Sequence, residues 1–390
     1  MPVDTELIQS GRKLEGLHGL RAAAAIAVVL FHLHVLLGVP EPAWLAAVTT
    51  DFYLSVQLFF VISAFSLFHS RRYAPARYPG YLVKRFFRIA PLYYVMLAWY
   101  VLRQTQFPGW GALLANLTFT FNLVPGLEVG IVNAGWSVGV EMMFYLLLPV
   151  LLVTLNGVTA FVLLYLAVAL TSTAFWSLTT GLPGLREYYA YYSLLGSMPA
   201  FAAGLLAYRI FVTLDPRPRR KLWKLVFGVA FAVLLVLDYR DPLGLHWRAA
   251  GLYFAAWGLP FGLLCLWQAL YPSAPMRAGA VQWVADRSFS IYLLHPVVLE
   301  WLWQADAFLD RHGVAGAALL RPIGLVAGVA LLFVIADVTY RYIELPGIAA
   351  GRRLAVRIDA TVGAPGRHET AAGDSGRSDA PLEPRRRGGG

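Results

Sequence analysis

The chain reads as an all-α, polytopic integral membrane protein of about ten transmembrane helices, with N- and C-termini cytoplasmic. Three observations predict this. Apolar residues make up 58% of the 390 residues and charged residues only 14%, against roughly 25% charged in soluble domains. The apolar residues fall into separate runs, each near the ~20 residues that cross a bilayer. Basic residues gather in alternate gaps between those runs, the pattern of cytoplasmic loops. A water-soluble chain of this length cannot bury so much apolar surface, and disorder is excluded for the bulk of it. Cys265 is the only cysteine, which excludes a disulfide framework and thiolate metal clusters. The formal charge of +10 does not imply nucleic acid, because most of the basic excess sits in loops between apolar runs. No metal and no bound cofactor are expected.

In chain order the predicted spans are 20–38, 52–69, 89–106, 136–155, 157–176, 190–210, 223–238, 248–270, 288–305 and 319–341. Residues 110–125 are shorter and hold Asn116 and Asn122, so they read as re-entrant or interfacial. Charge decides the count. Arg71, Arg72, Arg77, Lys84, Arg85 and Arg88 separate the second span from the third. Arg217, Arg219, Arg220, Lys221 and Lys224 separate the sixth from the seventh, Arg352 and Arg353 follow the tenth, and Arg12 and Lys13 precede the first. Ten spans place all four groups on one side; eleven would divide them. The first span is too long for a removable signal peptide and has no evident cleavage site. From residue 351 the chain turns to Gly, Pro and charge. The organisation read from this is a cytoplasmic N-terminus over 1–13, a transmembrane domain over 14–350 and a disordered cytoplasmic tail over 351–390. No internal repeat is visible, which weighs against transporters built from inverted halves.

Ionisable side chains inside spans are costly, so each is a functional candidate. Arg21 and His32 of the first span are eleven residues apart, which returns them to within about 20° of one face, about 16 Å apart along the axis. His34 falls on another face. An imidazole suits proton transfer near neutral pH, so His32 reads as a general base, or else as a histidine bonded to a neighbouring helix. In the fourth span Ser137, Glu141 and Tyr145 stand at i, i+4 and i+8, a polar stripe on an apolar helix. That helix enters from the outer face and the first from the inner, so Glu141 and His32 are expected at matching depth. The carboxylate would then orient the imidazole across one cavity; a structural ion pair is the alternative. In the ninth span Ser288, Tyr292 and His295 share a face, although His295 could instead bond backbone freed by Pro296. Arg85 and Arg88 read either as snorkelling side chains or as a bidentate phosphate clamp. Gln57 and Ser63 read as structural, Asp337 with Arg341 as an interfacial ion pair, and Glu344 with Pro346 as a helix stop.

Six landmarks then fall in order: GLHGLRAAAAIAVVLFH (16–32), LFFVISAFSL (58–67), KRFFRIAPLYY (84–94), WSVGVEMMFYLLLP (136–149), RSFSIYLLHP (287–296) and Glu-x-Pro (344–346). Together they resemble the membrane acyltransferase family often called acyltransferase family 3, over residues 14 to 346. The Arg-x10-His spacing of Arg21 and His32 matches that family's signature. The resemblance implies ten membrane helices in a bacterial plasma membrane, a cytoplasmic acyl-CoA donor (acetyl-CoA foremost), and an acceptor hydroxyl on a sugar, envelope glycan or natural product. It implies that His32 is the catalytic base, that Arg21 is essential or touches the donor, and that Glu141 is the site acid. Arg85 and Arg88 match a basic segment suited to CoA phosphates, and Ser137, Tyr145, Tyr292 and His295 join them as substrate- or donor-binding candidates. Three landmarks depart from the family's pattern. His18 stands where Asp is usual and would leave Arg21 without its nearby acid; Gln57 replaces an acid and Ala64 a glycine. Some members carry a further extracytoplasmic domain; none follows the tenth span here, and a stand-alone enzyme is expected. The oligomeric state stays open. The rival reading is a proton-coupled transporter or flippase for a polar lipid or sugar, using the same His and Glu as a relay.

Overall fold

The computed structural model describes residues 14–38, 42, 45–46, 49–69, 78–180, 182, 189–214, 220–240, 252–314 and 316–362. Among these, every regular element is helical. α1 is Glu15–Leu37, α2 Ser55–His69 behind a 3-10 turn at Thr50–Leu54, α3 Tyr78–Arg103 and α4 Trp110–Leu117. Then follow α5 (Trp136–Thr154), α6 (Gly157–Thr179), α7 (Leu194–Thr213), α8 (Arg220–Arg240) and α9 (Leu252–Leu270). The last are α10 (Ala274–Arg277), α11 (Gly279–Asp286), α12 (Ser288–Arg311), α13 (Ala317–Thr339) and α14 (Leu345–Val362). Each predicted span coincides with one long helix.

Six described helical stretches are long and apolar enough to cross a membrane: Glu15–Leu37, Thr50–Phe68, Gly157–Thr179, Leu194–Thr213, Leu252–Leu270 and Ala317–Thr361. The apolar part of α5, Trp136–Leu151, is shorter. α3, α8 and α12 have the length but carry several charges each. The outward faces fit lipid: Leu163, Leu166 and Leu170 on α6 and Val326 and Val334 on α13 are all more than half exposed. A soluble monomer does not tolerate apolar stripes of that extent.

α7 is the axis of the bundle, with α2, α6 and α9 packed around it. Its small residues, among them Ala200, Ala202, Ala203 and Gly204, are buried and let neighbouring backbones approach closely. A Cβ at Gly204 would lie 2.3 Å from the Val61 carbonyl oxygen. Phe201 fills the space beside it, stacked between Phe60 at 4.6 Å and Phe144 at 4.0 Å.

The structure corrects the chain's C-terminal reading. The segment expected to be disordered from 351 is helical through Val362. Gly351 and Ala355 are buried while Arg352, Arg353 and Leu354 face out, a four-residue period that mean composition hides. This face packs on α3, with a Cβ at Gly351 only 2.5 Å from Phe87. Residues 363–390 lie outside the described residues, as do Arg12, Lys13, Arg71, Arg72, Arg77, Arg217 and Arg219. Glu344 and Pro346 do not stop the helix either. One π-helical turn, Tyr340–Glu344, joins α13 to α14. The Leu345 N–H bonds to the Tyr340 carbonyl across it, and Pro346 follows in the first turn of α14, where a missing N–H is tolerated.

Residues 110–125 form α4, a 3-10 turn at Phe121–Leu123 and turns leading to Trp136. Irregular backbone inside a helical bundle must be satisfied by protein. The two asparagines do this. Asn116 Oδ1 accepts from Tyr93 OH at 2.8 Å and Ile131 N at 3.0 Å. Asn122 Nδ2 donates to the carbonyls of Glu128, Trp136 and Tyr192 at 3.0, 3.1 and 2.8 Å. The segment therefore folds back, and α5 starts inside the bundle.

Candidate active site

Two cavities lie end to end beside α1. The smaller, about 50 Å3, is walled by Arg21, Val56, Ser137, Glu141, Ser288 and Tyr292 with phenylalanines of α2 and α12. The larger, about 740 Å3, has His32, Tyr53, Trp136 and Trp176 in its wall. Val56 and Tyr292 belong to both walls. The single face predicted for Arg21 and His32 thus places one in each cavity.

Around Arg21, itself on α1, the structure gathers ions from α3 and α5. Glu141 (α5) and Arg85 and Arg88 (α3) lie within electrostatic reach of it, with Tyr145. Arg21 Nε is buried without a hydrogen-bond partner among the described residues. Tyr145 OH donates to Glu141 Oε1 at 2.5 Å, and Ser63 donates to the same oxygen. Arg85 sits 5.6 Å from the Tyr81 ring and 5.8 Å from the Tyr145 ring, so it turns inward rather than snorkelling. Ser63 is thereby part of the site, not only of the α2 packing.

The acid that sequence reading missed is Glu344. It is 1% exposed, accepts from Ser290, and interacts with both Arg88 and Arg21. Thr339 Oγ1 donates to Ser290 Oγ at 3.0 Å behind it. The π turn is what swings Glu344 inward: one extra residue per turn rotates the following side chains by about 100°. No periodicity in the sequence announces that. Arg21 therefore has two acids near it although His18 is not one. His18 Nε2 lies 2.9 Å from Asp286 Oδ1 instead. The Asp337–Arg341 pair is present at 2.9 Å, joined by Arg287 at 2.5 Å.

In the larger cavity, His32 Nδ1 is 2.9 Å from the Val28 carbonyl. A carbonyl only accepts, so Nδ1 carries the proton and a neutral ring keeps its lone pair on Nε2. His295 repeats this, with Nδ1 2.5 Å from the Tyr292 carbonyl and Nε2 buried without a partner among the described residues. The two imidazoles pack with centroids 4.8 Å apart. Ser137 Oγ and Tyr292 OH lie 2.8 Å apart on the partition between the cavities.

The expected carboxylate beside His32 is not Glu141. The neighbours of His32 are Val28, Phe31 and His295, and the Glu141 carboxylate is engaged by Ser63 and Tyr145. The reason is depth. Trp136 already lines the His32 cavity, so α5 begins there, and Glu141 lies about 7.5 Å further along the axis, towards Arg21. Among the described residues, no three His, Cys, Asp or Glu are grouped to hold a metal ion.

A family model described as an acyltransferase domain matches residues 14–341. Peptidoglycan O-acetyltransferase OatA of Listeria monocytogenes is 25% identical over 381 aligned residues, covering 86% of this chain. The chain spans 56% of the length of that relative. No solved structure matches.

Proposed function

The chain belongs to the acyltransferase domain family, and from that premise we propose a multi-pass membrane O-acyltransferase that moves an acyl group, acetyl foremost, from acyl-CoA to an acceptor hydroxyl. It sits in a bacterial plasma membrane with ten crossings and both termini cytoplasmic. The acceptor belongs to the class that the name of the Listeria relative points to, a glycan or sugar, or is a hydroxylated metabolite.

The observation that carries this reading is the pair of cavities meeting at Tyr292, with guanidinium groups on one side and the imidazole of His32 on the other. Arg85 and Arg88 hold the CoA phosphates, for which forked guanidinium groups are suited. The thioester reaches the partition from the Arg21 cavity, and the acceptor comes from the His32 cavity. His32 Nε2 takes the proton of the acceptor hydroxyl as its oxygen attacks the thioester carbonyl. Tyr292 OH, held by Ser137, donates to the developing oxyanion. The C–S bond then breaks, and the leaving thiolate recovers the proton from His32. Glu141 positions Arg21 and Tyr145 rather than His32. Direct transfer needs no acyl-enzyme; labelled acyl-CoA without acceptor would reveal one.

The test is purified protein in nanodiscs with a panel of acyl-CoAs and hydroxylated acceptors, read as thiol release and as the mass of the product. Acceptor-dependent CoA release supports the transferase. Solute uptake into vesicles without CoA release would replace it with the proton-coupled carrier.

A further inference from the structure

With Glu141 held in the other cavity, the imidazolium of His32 has no carboxylate beside it. A histidine base commonly has a buried acid that sets its tautomer and stabilises its charged form. Here the Val28 carbonyl accepts from Nδ1–H at 2.9 Å and sets the tautomer. No acid lies within electrostatic reach of either His32 or His295 among the described residues. What packs on His32 is the ring of His295, with centroids 4.8 Å apart, a spacing that leaves the ring edges within hydrogen-bond range.

The sequence around His295 fixes which of its nitrogens is available. Pro296 has no N–H, so the carbonyl four residues back, that of Tyr292, lacks its helical donor. His295 Nδ1–H donates to that oxygen at 2.5 Å. The bond commits Nδ1 and leaves the lone pair on Nε2, an atom that is buried without a partner among the described residues. A buried acceptor left open is costly and rare in finished interiors. Both rings therefore keep Nε2 as an acceptor, and two acceptors cannot bond each other. One added proton turns their contact into an N–H···N bond. His32 lines the cavity whereas His295 is 0% exposed, so His32 meets the acceptor and His295 stands behind it.

We propose that His295 is the proton partner of His32, a positioning residue whose Nε2 accepts from the Nε2–H of the His32 imidazolium in place of the missing carboxylate. The inference rests on the acyltransfer reading and adds the residue that makes its base effective. The steps balance. The acceptor O–H bond breaks and its proton passes to His32 Nε2. That N–H then donates to His295 Nε2, which spreads one positive charge over two rings. As the C–S bond breaks, the thiolate takes the proton and both rings return to neutral. The other titratable groups nearby are phenols: Tyr292 of α12, its ring 5.8 Å from that of His295, and Tyr53, Tyr191 and Tyr192 across the cavity.

Two measurements on the full chain in nanodiscs test the pair. In the first, neither donor nor acceptor is present, and the imidazole nitrogens of 15N-histidine-labelled protein are followed by NMR during acidification, with His32→Asn and His295→Asn assigning the signals. The Nε2 resonances of the two rings move together in the wild type. Anything short of joint movement before the protein unfolds overturns the proposal. In the second, CoA release is measured. His295→Asn keeps an amide N–H for the Tyr292 carbonyl and loses the lone pair. It lowers kcat by about tenfold, part of the ~10²–10⁴-fold worth of the base it serves, at unchanged donor and acceptor KM. His295→Gln, whose amide oxygen reaches towards the Nε2 position, recovers part of that loss, and it replaces His295→Asn if the latter does not fold. A wild-type kcat in the folded variant, or a loss confined to KM, overturns the proposal. If no acceptor elicits CoA release, the transferase reading falls, and the NMR titration alone decides whether the two rings share a proton.

Discussion

On one side of Tyr292 the site is made of ions, and on the other it is made of rings. The Arg21 side brings three guanidiniums and two carboxylates into a space of about 50 Å3 and its immediate surroundings. Inside an apolar bundle such charges persist only when they are paired and hydrogen-bonded. Accordingly Ser63, Tyr145 and Ser290 all spend their hydroxyls on the two glutamates. The His32 side is open, about 740 Å3, and lined largely by rings; among the described residues a buried group lacks a partner on each side, Nε of Arg21 on one and the indole N–H of Trp176 on the other. The difference separates two kinds of residue. Under the proposed mechanism, those on the ionic side hold the fold as well as the donor, whereas those on the ring side can be changed with loss of activity alone.

Substitutions can break or sharpen that contrast. The largest effect is expected at His32. His32→Ala should cut kcat/KM by about 10²–10⁴-fold, the usual worth of a general base, while the unfolding temperature in detergent stays put. A matching fall in stability would erase the distinction between the two sides. Glu344→Ala comes next and should behave in the opposite way. It leaves Arg21 with Glu141 alone and removes a buried carboxylate within electrostatic reach of Arg88; breaking a buried charge network costs up to about 3–5 kcal/mol, so a large drop in unfolding temperature should accompany any loss of turnover. Tyr292→Phe tests the partition itself. Losing the donor to the developing oxyanion should lower kcat by about 10²–10³-fold at unchanged donor KM. Arg85→Lys should raise the acyl-CoA KM about tenfold with little change in kcat, because an ammonium lacks the fork and the stacking on Tyr81 and Tyr145. Arg321→Ala is the smallest. Its pairs with Asp306 and Asp310 are exposed, so neither turnover nor unfolding temperature should move measurably.

Some of the site was legible from spacing alone. Arg21 and His32 do share a face, and Glu141 and Tyr145 do bond at i, i+4. What misled was the assumption that α5 starts at the membrane surface. Asn116 and Asn122 marked the preceding segment as irregular, but nothing local said how deep it folds before Trp136. Glu344 was hidden for a different reason, since a π turn changes the face a residue occupies and leaves no compositional trace. The tail shows a third kind of error: Gly351 and Ala355 read as disorder by composition, yet as contacts by period once α3 is alongside.

The amino-acid sequence by itself determined the helices and their apolar character, because these follow from runs and periods a few turns long. It also marked several of the candidate side chains, Arg21, His32 and Glu141 among them, because an ion within an apolar run stands out against its neighbours. Only the tertiary structure decided which of those groups meet. Depth along a helix and rotation about its axis depend on where the chain re-enters and where a turn is widened. A shift of five residues moves a carboxylate from one cavity to the next.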